Sequence, residues 1–271
     1  MTDRWSFETI NWSCFDPERV DGDMLCLVKA AAMVESNSAD YVTYLKNVLP
    51  DRGDLYPALE QWGAEEARHG AVLARWAALA DPSFDFAARF RQFTDGYQIP
   101  LDATTSVRGS QAGELVARCI VEVGTSSFYS AIRDAAAEPL LKQIAGLIAA
   151  DEVRHYSLFR RLLGRFEALS KWHRLRVAAG RIAEAEDDEL SFAYYCANLS
   201  GGETPYERTA CAHAYWRRAM ALYRRHHIER GMSMFFKASG FNPQGRLPRL
   251  TSAALWRATR WRVRRLARRA A

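Results

Sequence analysis

Two short segments, EEARHG and DEVRHY, repeat one pattern of acidic and histidine residues. Each contains Glu-x-x-His, as Glu66 with His69 in the first and Glu152 with His155 in the second. Positions three apart lie on the same face of an α-helix, so each segment directs a carboxylate and an imidazole the same way if it is helical. A fold that uses both pairs must bring long helices side by side, with these faces turned inward.

A further glutamate precedes each pair at nearly the same distance. Glu35 lies 31 residues before Glu66, and Glu122 lies 30 residues before Glu152. These glutamates sit in long apolar segments, where an unpaired carboxylate is costly to bury and metal coordination removes that cost. A single Glu-x-x-His is more often a solvated or helix-capping pair, but the complete set is that of ferritin-like bundles that bind two iron or manganese ions. The predicted metal ligands are Glu35, Glu66, His69, Glu122, Glu152 and His155.

Hydrophobic periodicity and helix-stop signals predict an all-α fold, because strand-like alternation is scarce. The repeated order of a Glu helix and a Glu-x-x-His helix predicts a ferritin-like four-helix bundle core with additional C-terminal helices. We expect residues 1–245 to form this bundle with two appended helices, and residues 246–271 to form a basic amphipathic tail. The predicted bundle helices span residues 23–49, 54–80, 110–136 and 139–169, with a connecting helix over 83–94 and later helices over 171–197 and 205–238.

Several classes of protein are disfavoured by the rest of the sequence. The N-terminal segment MTDRWSFETINWS lacks the apolar region of a signal peptide, and no run of 18 apolar residues occurs. None of the five cysteines forms a C-x-x-C pair, which argues against a zinc ribbon or a rubredoxin site. We therefore expect a cytoplasmic protein.

The positive charge of the chain is concentrated at its C-terminal end. Residues 246–271 contain nine arginines and no acidic residue, whereas the remainder has 28 basic and 32 acidic residues, a net charge of −4. Such a helix suits an anionic membrane surface, an acidic carrier protein or RNA, so a peripheral membrane location is one expectation; packing on its own bundle is the other. On a helical wheel, one apolar face holds Leu255, Thr259, Val263, Leu266 and Ala270.

The six predicted ligands suit a pair of irons, which prefer hard oxygen ligands with some imidazole; manganese is compatible with the same set. By role, Glu66 and Glu152 are expected to bridge the two metals, while Glu35 and Glu122 are terminal ligands and each histidine binds one metal. Such a centre reacts with dioxygen as co-substrate when reduced.

An acidic residue directly precedes each motif glutamate, as Glu65 and Asp151. A carboxylate that accepts the second N–H of a ligand histidine is a common supporting contact at metal sites. We predict that Asp151 pairs with His69 and that Glu65 pairs with His155. The alternative is that both acids are simply solvated.

The motifs resemble those of the soluble acyl-acyl-carrier-protein desaturases, which carry EE-x-R-H-G, DE-x-R-H and a run similar to IAGLIAADE ahead of the second motif. That family also has a tryptophan four residues before the first motif glutamate, matched by Trp62, and a threonine three residues after the third-helix glutamate, matched by Thr125. The resemblance covers about residues 25–165. It implies a role for Thr125 in oxygen activation, a fatty acyl substrate on an acyl carrier protein, and an external electron donor such as ferredoxin with its reductase.

The resemblance is specific for the metal centre and less so for the substrate. The last hundred residues match no motif of that family, so a hydroxylase or N-oxygenase acting on a small metabolite or a tRNA base is the second hypothesis. A ferroxidase or iron-binding protein is the non-enzyme alternative, and a homodimer is one candidate assembly. A rubrerythrin is disfavoured because the rubredoxin-type cysteines are missing.

Overall fold

The computed structural model describes residues 5–184, 188–199 and 204–270, with the backbone alone described for residues 262–270. Every regular element within these residues is a helix, which confirms the all-α fold class. No helix in this part of the chain is long and apolar enough to cross a membrane. Short 3-10 helices span Phe7–Thr9, Trp12–Cys14, Pro17–Arg19 and Gly53–Leu55. The α-helices are α1 (Gly22–Ser36), α2 (Ser38–Val48), α3 (Tyr56–Ala80), α4 (Phe86–Gly96), α5 (Gln111–Ala135), α6 (Pro139–Leu163), α7 (Lys171–Ala183), α8 (Asp188–Asn198), α9 (Arg208–Leu222), α10 (Arg225–Ala238) and α11 (Arg246–Ala270).

The first predicted helix is interrupted, and the prediction of one continuous helix over residues 23–49 was wrong. Asn37, with φ −83° and ψ 12°, separates α1 from α2. Just after this break, the Ser38 hydroxyl donates a 3.0 Å hydrogen bond to the carbonyl of Gly63 in α3. This bond joins the start of α2 to α3 directly at the break.

The helices that carry the repeated motif otherwise follow the prediction closely. The second, third and fourth predicted helices correspond to α3, α5 and α6, although α6 ends at Leu163, six residues early, and Gly164 follows. The connecting helix is α4, displaced by a few residues. The two predicted C-terminal helices are instead four, α7 to α10.

The chain divides into two compact units, each assembled from separated stretches of sequence. The first consists of Met1–Thr105, Ile132–Ile148 and Glu186–Tyr215. The second consists of Ser106–Ala131, Ala149–Ala185 and Trp216–Ala271.

In the first unit, α1 packs against α3 and α8. It begins at Asp21, whose carboxylate accepts a 2.8 Å hydrogen bond from the Met24 N–H, as expected of an N-cap residue. Lys29, which is buried on α1, donates a 2.5 Å hydrogen bond to Asp81 at the end of α3. This ion pair ties the middle of α1 to the C-terminus of α3.

A buried glutamate joins three stretches of the first unit. The Glu138 carboxylate, 1% exposed, accepts hydrogen bonds from the Trp76 Nε1–H at 2.7 Å and from the Asp16 N–H at 3.1 Å. It also caps the start of α6, where it accepts bonds from the N–H groups of Leu140 and Leu141. A buried carboxylate needs such partners to offset its lost hydration.

In the second unit, α10 packs against α7 and α11. A Cβ atom built on Gly231 of α10 lies 3.0 Å from the Ser127 hydroxyl of α5, so the glycine permits a close approach of these helices. The Tyr156 hydroxyl of α6 donates a 2.9 Å hydrogen bond to the Met234 carbonyl of α10. These contacts hold the motif-bearing parts of α5 and α6 against the C-terminal helices.

Candidate metal centre

The first unit contains a cluster of three buried predicted ligands. His69 of α3 is fully buried, and its Nδ1 lies 3.2 Å from a Glu66 carboxylate oxygen and 3.7 Å from an oxygen of Glu35 in α1. One ligand atom from each residue lies within 4.8 Å of the other two. The one-turn spacing along α3 and the packing of α1 on α3 therefore produce a three-residue ligand set.

The second unit contains the equivalent cluster. His155 Nδ1 of α6 lies 3.9 Å from an oxygen of Glu152 in the same helix and 3.9 Å from an oxygen of Glu122 in α5. All three side chains are at most 2% exposed. Their ligand atoms also lie within 4.8 Å of one another.

The chemistry of each cluster fits a cation. Two carboxylates around one imidazole carry net negative charge even when the imidazole is protonated, and burying that charge is costly. Oxygen and nitrogen donors in this ratio suit iron or manganese, whereas soft thiolate ligands are missing from both clusters. Each cluster thus has the donors expected of one half of a two-metal centre.

Thr125 lies where the sequence predicts a hydroxyl. It is one helical turn after Glu122 on α5, and its Oγ1 donates a 2.6 Å hydrogen bond to a Glu152 carboxylate oxygen. The same hydroxyl lies 3.3 Å from the Val121 carbonyl, the local helix contact that a packing residue makes. The bond to Glu152 shows that Thr125 orients a predicted ligand.

The other predicted supporting residues are buried. Trp62 is 4% exposed, Glu65 3% and Asp151 0%. Glu65 accepts a 2.9 Å hydrogen bond from the Gln61 side chain, and Asp151 pairs with Arg154 one turn along α6. The pairings of Asp151 with His69 and of Glu65 with His155 remain predictions.

The glycine that ends the first motif has a packing role beside the ligands. A Cβ atom built on Gly70 lies 2.8 Å from the backbone nitrogen of Ser36 and 2.2 Å from its hydroxyl. Real Cβ contacts are not this short, so α1 and α3 approach closely only because residue 70 is glycine. Ser36 follows Glu35, and the close approach places that carboxylate near His69.

Sequence reasoning missed Trp5. Its ring stacks on the imidazole of His69, with centroids 5.9 Å apart and planes 8° from parallel, and the Arg68 guanidinium lies 4.5 Å from the Trp5 ring centroid. Both values fall in the ranges of favourable ring stacking and cation–π contact. No periodicity signals this contact, because Trp5 precedes the first α-helix and lies 64 residues before His69.

The burial of one cysteine beside the second cluster has an electrostatic consequence. Cys119 lies one turn before Glu122 and is fully buried. Burial, reinforced by the negative charge of Glu122, raises the pKa of the Cys119 thiol far above its ordinary range. The thiol therefore stays protonated and packs as a small apolar group.

No curated protein sequence matches the chain. A family model described as fatty acid desaturase does match, over residues 56–170. This stretch contains α3 to α6 with five of the six predicted ligands, Thr125 and both acidic neighbours; Glu35 and all residues after 170 lie outside it. The match supports an oxidoreductase of the fatty acyl desaturase type. The predicted resemblance to the acyl-acyl-carrier-protein desaturases, and with it the ferritin-like class, is confirmed over residues 56–170.

Proposed function

We propose that the chain binds two iron ions and acts as a dioxygen-dependent oxidoreductase that desaturates or hydroxylates a fatty acyl chain attached to a carrier protein. The observation that carries this proposal is the pair of equivalent buried Glu, Glu, His clusters in a chain that matches the fatty acid desaturase model. One cluster of this kind is a weak signal, but two with the same order of ligands along the chain are the repeat expected of a two-metal bundle.

The six ligands have distinct proposed roles. Glu66 and Glu152 would be shared by the two ions, while Glu35 and Glu122 would each hold one ion. His69 and His155 each bind one ion as neutral imidazoles, a form that requires loss of the ring proton at the ligating nitrogen. Metal binding therefore releases protons if these histidines are protonated beforehand.

The protein orients the ligand side chains and excludes water from them. A reduced pair of irons, when bound, supplies the dioxygen chemistry that removes hydrogen from an unactivated C–H bond. Thr125 holds one oxygen of Glu152 through its hydroxyl, which restricts the orientation of that carboxylate. Trp5 covers one face of His69, and the near-complete burial of all six ligands keeps bulk water from the reacting groups.

Metal content tests the centre itself. We expect two metal ions per chain in purified protein and loss of most of them in the double variant Glu152→Ala, His155→Ala. The matched control is Glu167→Ala, which removes an exposed carboxylate just beyond α6. Unchanged metal content in the double variant would eliminate the assignment, whereas manganese in place of iron would not.

Product analysis tests the reaction. Iron-loaded protein is supplied with NADPH as the source of electrons, with ferredoxin and its reductase, and with a saturated acyl chain, either attached to acyl carrier protein or as the free acid. Loss of two hydrogens or gain of one oxygen in the acyl chain, seen by mass spectrometry and dependent on dioxygen, supports the proposal. Dioxygen consumption that oxidises only ferrous iron points to a ferroxidase, and product from a small metabolite or tRNA but not from acyl chains points to the second hypothesis.

A further inference from the structure

The C-terminal helix α11 buries one face and exposes another. In α11, Pro248 and Ser252 are buried on the side that packs against α10, and Trp256 is half-buried one turn further along. These residues are spaced by four, so they form one face of the helix. Of the apolar face predicted from the sequence, Leu255 is 44% exposed and Thr259 is half-buried, whereas the side chains of Val263, Leu266 and Ala270 lie outside the described residues.

A stripe of apolar residues lies on a different side of α11. Leu247 is 47% exposed, Leu250 68% and Trp261 62%, and the exposed residues Ala254 and Ala258 fall between them. The spacings of three and four residues place all five on one line along the helix. Large apolar side chains arranged in this way at the surface mark an interaction site more often than isolated ones do.

A parallel stripe of positive charge lies next to the apolar one. Arg246, Arg249, Arg257 and Arg260 are exposed, and each immediately precedes a member of the apolar stripe. The Arg260 guanidinium lies 5.6 Å from the Trp256 ring centroid, within the range of a cation–π contact. The sequence adds five more arginines and no acid between residues 262 and 271, whereas the remainder of the chain has a net charge of −4.

We infer that α11 is a docking surface for an anionic phospholipid bilayer, with its axis parallel to the membrane plane. Leucine and tryptophan side chains on one stripe enter the boundary between headgroups and acyl chains, and the arginines beside them contact lipid phosphates. Phosphate attraction alone would equally suit RNA, but binding to RNA does not require leucines in a continuous exposed stripe. The inference does not rest on the proposed metal chemistry, because no predicted ligand lies in α11.

Vesicle sedimentation with the full-length chain tests this inference. Vesicles of phosphatidylcholine mixed with phosphatidylglycerol should sediment the protein at low salt, and vesicles of phosphatidylcholine alone should not.

Replacing Leu247 and Leu250 by serine should weaken vesicle binding by about tenfold or more, since each change removes several CH₂ groups that the bilayer would bury. Replacing all four exposed arginines of this stripe by glutamine should weaken vesicle binding by roughly a hundredfold at low salt; they are Arg246, Arg249, Arg257 and Arg260. Leu101→Ser, at another exposed leucine, is the matched control and should bind like the parent.

The same variants distinguish the other occupants of this surface. Vesicle binding by the double serine variant equal to that of the parent would overturn the inference. Binding to a short RNA or to an acidic acyl carrier protein in the absence of vesicle binding would also overturn it. A dimer of the parent that dissociates in the double serine variant, without vesicle binding, would show that a second copy covers the stripe and would also overturn it. Metal content is measured on every variant and should stay at the parent value, so failure here is separate from failure of the metal centre.

Discussion

The Thr125 hydroxyl donates a 2.6 Å hydrogen bond to the Glu152 carboxylate. Valine has nearly the same volume but cannot donate, so Thr125→Val removes the bond and leaves the packing. We expect full metal content, a loss of roughly 1.5–3 kcal/mol of stability as measured by denaturant unfolding of the metal-free chain, and less product formed per dioxygen consumed. Coupling equal to that of the parent would show that Thr125 serves only in packing.

The stacking of Trp5 on His69 predicts slower loss of metal from the parent than from Trp5→Ala. Without the indole ring, water reaches the imidazole more easily and the ring orientation is less restricted. We expect Trp5→Ala to lose iron to a chelator faster than the parent, with Trp5→Phe intermediate. Loss of the aromatic contact in Trp5→Ala should also lower the free energy of unfolding by about 0.5–1.5 kcal/mol. Trp12→Ala is the matched control, because Trp12 lies in the same segment but its ring contacts Phe7 at a tilt of 37°. Equal release rates in Trp5→Ala and Trp12→Ala would contradict this role.

Gly70→Ala should destabilise the first unit through a backbone clash. The new Cβ atom meets the Ser36 backbone at 2.8 Å, and overpacking of this kind costs about 1–3 kcal/mol. Because Ser36 adjoins Glu35, we also expect weaker metal binding. Gly180→Ala in α7 is the control, since no atom lies within 4 Å of a Cβ built there. If Gly70→Ala is as stable as the control, this prediction is wrong, because α1 can then move away from α3 without loss of free energy of unfolding.

The ion pair between Lys29 and Asp81 predicts a pH dependence of stability. The hydrogen bond from Lys29, with a second from Ser83, lowers the pKa of Asp81 from 3.8 to about 2. A carboxyl group with a lowered pKa in the folded state stabilises the fold fully above pH 3.8, and that contribution is lost as the pH falls toward 2. We expect Asp81→Asn to be less stable than the parent at pH 7, with a difference that shrinks between pH 4 and pH 2 in denaturant titrations. A difference that stays constant over this range would argue against the ion pair.

The clustering of the predicted ligand residues was predictable because it depends on helix periodicity. Glu66 with His69 and Glu152 with His155 need only one turn of helix to face the same way, and in each unit the expected glutamate of the preceding helix lies within 4 Å of the histidine. The position of Thr125 followed from the resemblance and the same periodicity. That Glu66 and Glu152 each bind both metal ions stays a prediction.

The departures from prediction have particular physical causes. The break at Asn37 had a local signal, since Ser-Asn-Ser is a run of weak helix formers with capping side chains, but the apolar pattern on both sides masked it. The break between α9 and α10 lies at Tyr223 and Arg224, where neither glycine nor proline occurs, so periodicity alone could not locate it. The contact of Trp5 with His69 depends on the path of the N-terminal segment, which has no repeating pattern.

The Glu138 carboxylate accepts bonds from residues as far apart as Asp16 and Leu141, and the first unit reaches from the start of the chain to Tyr215. During synthesis on a ribosome, the Asp16 and Trp76 donors therefore emerge well before Glu138, and their hydrogen bonds to it can form only after residue 138 has been made. The second unit is likewise interleaved with the first, since it begins at Ser106 and resumes at Ala149 and Trp216. No single cut of the polypeptide yields a fragment that contains one complete unit and nothing of the other. A chain that ends before Tyr215 lacks part of both units, so a C-terminal truncation cannot isolate either ligand set on its own scaffold.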